Sequence, residues 1–317
     1  MIELDLKDRK ILFELDRNSR QTNSTIAKLV NLNKTTVNYK INRLIDEGII
    51  SNFYTVIDNS KLGLINFRVY FKFLNTDNEK ETEILNWLIS NNLVSVVGKI
   101  ENIYDVSLII SVKTILDFNL FLFEFKKKFR TYFWKEKIDI ISKIYHFKRT
   151  YLLDKKTNTH FEFEVIGENN QITYDKIDYK ILQLLSDNAR ISTVEISNKL
   201  KLPVRTTAYR IKQLEKKKVI VGYRANINLN KINFEYYKIN LKLDNFQNFD
   251  KLFSFAKSNP NIIYIDNTIG DIDFEIDIEI ENKTKLYDLL GEIKKIIKIR
   301  DYEVFTYEKY LKLKLIP

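Results

Sequence analysis

Two clusters of side chains in this chain have the types and spacing to grip a polyanion. The first is Lys34, Thr35, Thr36, Asn38, Tyr39, Lys40 and Arg43; the second is Arg205, Thr206, Tyr209, Arg210, Lys212 and Gln213. If Val37, Ile41 and Leu44 point inward on a helix, the rotation of about 100° per residue turns Thr35, Thr36, Tyr39, Asn42 and Arg43 outward. Hydroxyl and amide groups at the start of such a helix suit base edges in a DNA major groove. Arg205 can grip the O6/N7 edge of a guanine with both arms of its fork, worth about 1–3 kcal/mol of discrimination. Lys40, Arg43, Arg210 and Lys212 suit phosphates, which fix register without reading sequence. Tyr39 and Tyr209 either join the outward face or pack against the first helix of their own unit.

Other chemistries are poorly supplied. Cysteine is absent, which removes thiolate ligands, disulfides and cysteine nucleophiles together. The histidines are His146 and His160 alone, and neither a glycine-rich phosphate loop nor a His-x-x-x-His pair occurs. On these grounds the chain is read as not an enzyme, with no cofactor. The alternating row Asp273, Glu275, Asp277, Glu279 and Glu281 is too extended for its carboxylates to meet at one ion. No metal site is expected; the row should pair with Lys238 and Lys242, or with Arg68 and Lys72.

The elements that carry the two clusters are legible. Over residues 24–50, Ile26, Leu29 and Val30 mark one short helix, and Val37, Ile41, Leu44 and Ile45 a second. Asn33 can cap the second helix, and Gly48 can end it. Two short helices joined by a tight turn form a helix-turn-helix. The pattern returns over 194–220 without a gap. Asp5, Asp8, Ile11, Leu12, Leu15, Asn18, Arg20, Thr36, Tyr39 and Ile41 recur as Asp175, Asp178, Ile181, Leu182, Leu185, Asn188, Arg190, Thr206, Tyr209 and Ile211. The chain is an internal duplication.

The formal charge is +10, and it is concentrated. Residues 174–224 hold twelve Lys and Arg against five Asp and Glu, whereas residues 4–53 hold nine against six. The excess thus peaks where a polyanion would dock. With 44% apolar residues the chain can build real cores. No apolar run is long enough to span a bilayer, and the charged start lacks the apolar centre of a secretory signal, so a cytoplasmic protein with no membrane partner is expected.

After each helix-turn-helix the periodicity changes. Phe67, Val69, Phe71 and Phe73 alternate with Arg68, Tyr70 and Lys72, as in a strand. A helix over 79–90, strands over 94–100 and 105–112, a helix over 116–132 and a strand over 138–153 follow. The second half repeats this with strands over 236–243, 262–268, 273–280 and 302–313 and helices over 249–258 and 285–298. Each set reads β-α-β-β-α-β, a ferredoxin-like sandwich. The aromatic run Phe118, Phe121, Phe123 and Phe125 is mostly core, with a surplus that can face a partner. The fold class is α+β, with units at 1–58 (winged helix-turn-helix), 59–153 (ferredoxin-like), 154–173 (linker with an extra strand over 160–166), 174–228 (winged helix-turn-helix) and 229–317 (ferredoxin-like).

A winged helix-turn-helix followed by this sandwich resembles the Lrp/AsnC family of transcriptional regulators. The resemblance rests on LDLKDRKIL, LNKTTVNYKINRL and DEGII in the first repeat, and on YDKIDYKIL, LPVRTTAYRIKQLE and VGY in the second. It implies a sequence-specific regulator with double-stranded DNA as partner, and an amino acid or other small molecule as an effector. The effector turn of the family corresponds to Gly270, Asp271 and Asp273 in repeat two. In repeat one the same turn reads Asn102-Ile103-Tyr104-Asp105, keeping only Asp105. Repeat two also departs at Lys218, where repeat one has Gly48, and at Thr207, where Val37 packs. Family proteins dimerise, so the fused copies imply an intramolecular pseudo-dimer, with homo-oligomers as a further step. Some haem-pathway decarboxylases resemble the same plan, which leaves a haem or sirohaem decarboxylase-like enzyme as one alternative and a small-molecule sensor without DNA binding as another.

Overall fold

The computed structural model describes residues 4–153, 163–167 and 170–316. His160 and the start of the expected linker strand lie outside the described residues. Each half opens with three helices: α1 (Leu6–Arg17), α2 (Asn23–Val30) and α3 (Lys34–Asp46), then α6 (Lys176–Asp187), α7 (Thr193–Leu200) and α8 (Val204–Lys216). Asp5 caps α1 by accepting from the Asp8 amide while the Asp8 carboxylate accepts from the Asp5 amide; Asp175 and Asp178 repeat the box on α6. Asn33 caps α3 as expected, accepting from the Thr36 amide at 2.7 Å. Pro203 takes its place in repeat two without a side-chain bond. At the end of α8, Lys218 holds φ +59, the left-handed backbone that Gly48 adopts at +70.

The wing strands β1 (Ile50–Ile57) and β7 (Ile220–Ile227) do not serve their own halves alone. They pair antiparallel into one ribbon with Tyr54 opposite Arg224, which are equivalent positions of the two repeats. The Ser19 amide donates to the Tyr223 carbonyl at 2.9 Å, and its counterpart Ala189 donates to Phe53 at 3.0 Å. Consequently Ala225 and Ile227 pack in the helical core of the first half, and Ile57 in that of the second. Fully buried aliphatic side chains contribute about 1.5–3 kcal/mol each, so this exchange ties the two units together.

The sandwich strands are β2 (Ile65–Phe73), β3 (Val94–Glu101), β4 (Val106–Val112) and β5 (Phe133–Phe147), then β8 (Glu235–Leu243), β9 (Ile262–Ile269), β10 (Phe274–Ile280) and β11 (Ile299–Leu313). The expected final strand over 138–153 is shifted: β5 begins at Phe133, and residues 150–152 form a 3-10 turn. Each half keeps the ferredoxin-like strand order, and the halves meet at both edges, β3 on β11 and β5 on β9. With β2 also on β5, the eight strands close into a ring; β6 (Phe163–Ile166) adds to β5 outside it. Closure leaves the modules no free sheet edge between them.

Helices α4 (Asn78–Ser90) and α5 (Ile115–Phe129) cover one wall of the ring, and α9 (Phe249–Ser258) and α10 (Lys283–Ile296) cover the other, over two apolar cores. Phe67, Val69 and Phe71 face α4 and α5, as the alternation predicts. The opposite face is not solvated. Arg68 and Tyr70 turn into the ring and are 5% and 0% exposed. Phe118, Phe121 and Phe125 are core, whereas Phe123 is exposed beside Ile115, Leu116 and Leu120.

Candidate functional site

The first residues of each second helix present a free polar face. Lys34, Thr35, Tyr39, Arg205, Tyr209 and Lys212 are exposed, and Thr36, Asn38, Thr206 and Gln213 are half-buried. Tyr39 and Tyr209 are 67% and 62% exposed, so neither packs away against its first helix. Asn38 accepts from the amide of Asn23, whose own oxygen accepts from Arg190 of the other half at 2.8 Å. Lys34, Arg205 and Lys212 have no ion-pair partner among the described residues.

Three of the expected phosphate contacts are engaged elsewhere. Lys40 Nζ lies 2.9 Å from Asp8 and 2.7 Å from Asp5; Arg43 lies 2.6 Å from Asp8. Arg210 lies 2.8 Å from both Asp175 and Asp178. Asp8 is 1% exposed. These cations therefore pin α3 to α1 and α8 to α6, with the capping-box carboxylates as anchors. The polar contact between α7 and α8 differs between repeats: Ser197 and Thr207 share a hydrogen bond at 3.0 Å where Ala27 and Val37 pack in the first.

The two units are held in one orientation by side chains that cross between them. Arg20 donates to the carbonyls of Ala189 and Ile191 at 2.6 and 2.8 Å and covers the Tyr223 ring. Its counterpart Arg190 covers Phe53. A second crossing contact is one-sided. Asp16 of α1, fully buried, accepts from Arg224 Nε and Nη2 at 2.9 and 2.8 Å, from Arg149 Nη1 at 2.5 Å and from the Arg149 amide at 2.9 Å. The equivalent positions in the other direction hold Ser186 and Tyr54. Burial opposes the Asp16 charge, but the two guanidinium groups overcome it and hold the carboxyl well below the usual range. Arg149 continues the chain of contacts to Glu279 of β10 with two bonds at 2.8 Å.

Glu279 and Arg149 line a cavity of about 370 Å³ between the ring interior and the wing ribbon. Arg68, Tyr264, Asp266, Asp277, Tyr307 and Tyr310 also line it. Inside, Arg68 Nη1 meets Asp266 at 2.6 Å and Glu275 at 3.2 Å; Lys238 Nζ meets Asp266 and Glu275 at 2.8 Å and Asp277 at 3.3 Å. The acidic row of β10 thus pairs with Lys238 on its own sheet and Arg68 of the other half, as the sequence suggested. Lys242 and Lys72 take other partners, Asp271 and Asp105. Burial, helped by Asp266 and Glu275, pushes Asp277 up to about 7. His146, buried near Arg224, is pushed down to about 3 and is neutral.

The residues of the family's effector turn lie outside this cavity, at the hairpin ends. Asp105 accepts from the Phe73 amide and Asp273 from the Leu243 amide, both at 2.7 Å. A Cβ on Gly270 would fall 1.8 Å from Asp139 Oδ1, so glycine there admits the buried Asp139.

A family model of winged helix-turn-helix DNA-binding domains matches residues 4–51 and 174–221. The transcriptional regulator LrpB of Bacillus subtilis is 27% identical over 138 residues, covering 44% of this chain and 91% of that protein. The leucine-responsive regulatory protein of Haemophilus influenzae is 39% identical over 67 residues, covering 21% of this chain and 40% of that protein. A solved structure of the siroheme decarboxylase NirDL covers 98% of this chain and 93% of its own, at 12% identity and a TM-score of 0.61. These matches and the folded units define a DNA-binding protein with two winged helix-turn-helix domains. The chain is a tandem duplication whose halves are similar to transcriptional regulators of the Lrp type.

One expectation is corrected. The scarcity of histidine, cysteine and phosphate loops read as excluding an enzyme, but the two NirDL structures that match the whole chain belong to an enzyme. The same architecture therefore carries catalysis in at least one protein. Loop motifs do not mark this cavity, because its polar groups converge from strand positions far apart in the chain.

Proposed function

We propose that the chain is a sequence-specific DNA-binding regulator in which one polypeptide supplies both halves of the reading head. The observation that carries this is the pairing of β1 with β7, which joins two helix-turn-helix units whose α3 and α8 faces stay free. Thr35, Thr36 and Asn38 read bases in one half-site, and Arg205 and Thr206 in the other. Lys34 and Lys212 take phosphates. Because the reading residues differ, the two half-sites differ. The units divide as 1–58, 59–153, 174–228 and 229–317, with 154–173 between the halves. Half-sites should lie one helical turn, or a multiple of it, apart. Small-molecule modulation belongs to the ferredoxin-like modules, and the exposed row Ile115, Leu116, Leu120 and Phe123 supports further association of chains. The test is binding of the full chain to mixed genomic fragments across a salt series. Tight binding that falls steeply with salt, with some fragments surviving competitor, is expected; no binding at low salt refutes the reading.

A second reading is decarboxylase-like catalysis in the ring cavity. The whole-chain likeness to NirDL shows the fold alone, but the buried Arg68, His146 and Arg149 around one cavity give that reading a place to act. Incubation with siroheme under reducing and non-reducing conditions tests it, with loss of carbon dioxide as the readout.

A further inference from the structure

The two halves of the ring differ systematically on their inner face. Strands β3 and β4 of the first half present Val96, Gly98, Ser107 and Ile109 inward. The equivalent positions on β9 and β10 hold Tyr264, Asp266, Glu275 and Asp277. The inner cations, by contrast, are matched: Arg68 on β2 and Lys238 on β8 face each other across the ring. Asp139 adds a fourth carboxylate beside Arg68, at the position directly opposite it on β5. Two buried cations therefore stand against four buried carboxylates, with Lys137, shared with Glu303, 3.9 Å from Asp139. All six are at most 5% exposed, so the imbalance sits away from bulk water. Excess buried charge of this kind is costly unless a proton or a cation joins it.

The cavity provides room for such a partner at this spot. Asp266 lines it, is 2% exposed, and its Oδ1 has no hydrogen-bond partner among the described residues. Tyr264, Tyr236, Tyr307 and Tyr310 wall the space around it. Tyr307 and Tyr310 lie 5.4 Å apart, and Tyr307 stacks on Tyr236 at 4.7 Å. Tyr307 also covers Gly98, where a Cβ would sit 2.9 Å from its ring. Aromatic walls beside carboxylates that outnumber the buried cations paired with them attract a further cation through both the ring quadrupole and direct charge. A hydrated metal ion would gain nothing from tyrosine faces, and a carboxylate placed at the Asp266 and Asp277 end would meet like charge.

We propose that this cavity binds a small organic cation, a protonated amine or amidine, with its charged end on Asp266 and Asp277 and its body between the tyrosines. The inference deepens the regulator reading by giving its small ligand a chemical class. A volume of about 370 Å³ suits a molecule toward the small end of the ligand range. The site is asymmetric, because only the second half supplies the acids, so one chain takes one ligand.

The test uses the full chain and three matched sets of probes: phenethylamine, tryptamine and agmatine, each beside an alcohol and a carboxylate of similar shape. Thermal shift and calorimetry are run at about pH 8, where amines are protonated and carboxylates ionised. At least one amine should stabilise the chain saturably, with its alcohol about tenfold weaker or worse, equal to about 1.4 kcal/mol, and its carboxylate without effect. Ile109→Trp, which fills the cavity and leaves the charges in place, should abolish the shift. Asp266→Asn should weaken it by about tenfold as well; if that variant does not fold, Ile109→Trp decides. Three results overturn the proposal: no shift from any amine at millimolar concentration, a carboxylate that binds as well as its amine, or an amine shift that survives Ile109→Trp. The readout contains no DNA, so it stands or falls separately from the regulator reading.

Discussion

Removal of the Asp16 carboxylate is the sharpest structural perturbation available in this chain. Asp16 is fully buried on α1 and accepts four hydrogen bonds from Arg149 and Arg224, which belong to the ring and to the opposite wing. Asp16→Asn keeps the shape but leaves Arg224, itself 0% exposed, without a charged partner. Arg149 keeps two bonds to Glu279 and is less affected. Breaking a buried pair on one side costs about 3–5 kcal/mol, because the orphaned charge stays buried. Urea unfolding followed by circular dichroism should show a loss of this size. The repeat itself provides the control. The equivalent positions carry Ser186 and Tyr54, so the double variant Asp16→Ser with Arg224→Tyr rebuilds a neutral pair that the fold already tolerates. It should cost less than the sum of the single variants by about 2 kcal/mol, within the range of measured coupling energies between contacting residues. A loss below about 1 kcal/mol for Asp16→Asn, or strict additivity in the double variant, would refute the reasoning.

Three further outcomes are expected. Lys218→Gly relieves a left-handed backbone at a position where repeat one already has glycine, and should stabilise the chain by about 1 kcal/mol in the same unfolding assay. Arg210→Ala should lower stability yet leave the salt slope of DNA binding unchanged, because its partners are Asp175 and Asp178, while Lys212→Ala should reduce the slope by about 1. The pH dependence carries two opposed contributions. Asp277, raised by burial to about 7, favours the folded state at low pH, and that gain is lost as pH rises from the ordinary carboxylate value through 7. His146, lowered by burial to about 3, favours the folded state above the ordinary histidine value, and that gain is lost as pH falls from about 6.5 toward 3. Between about pH 4 and 6.5 the two nearly cancel, each amounting to about 1.4 kcal/mol per pH unit. Asp277→Asn should therefore expose a stability that rises with pH in this window, and His146→Gln one that falls. Level profiles in both variants would contradict the assignment.

Much of the fold was legible because duplication doubled every local signal. The helix-turn-helix positions, the capping Asn33 and the β-α-β-β-α-β order follow from apolar spacing within one repeat. Arg20 and Arg190 recur in both halves, and both turn out to bridge them. Closure of the ring was not legible. The alternation at Arg68, Tyr70 and Lys72 has the pattern of a half-solvated strand, and only the meeting of β3 with β11 and β5 with β9 buries its polar face. Asp16 is similar: on an amphipathic helix it sits beside Leu15, and its partners lie 133 and 208 residues away. One signal was available, since Asp16 and Arg224 are charged where Ser186 and Tyr54 are not, so the two changes occur as a matched pair. The outward helix faces follow from apolar spacing, but the pairing of the cations on them does not. Lys40, Arg43 and Arg210 look like phosphate ligands by position, and only the structure places Asp8 and Asp178 within reach of them.

The most direct test of a single chain reading two unlike half-sites is a footprint of the full-length protein on a selected fragment, repeated with Arg205→Ala and Thr35→Ala. The account predicts that each substitution relaxes base preference, by about 1–3 kcal/mol for Arg205, in one half-site and leaves the other unchanged. Equal relaxation of both half-sites by either substitution would mean that the two halves of the chain are not read separately, and would contradict it.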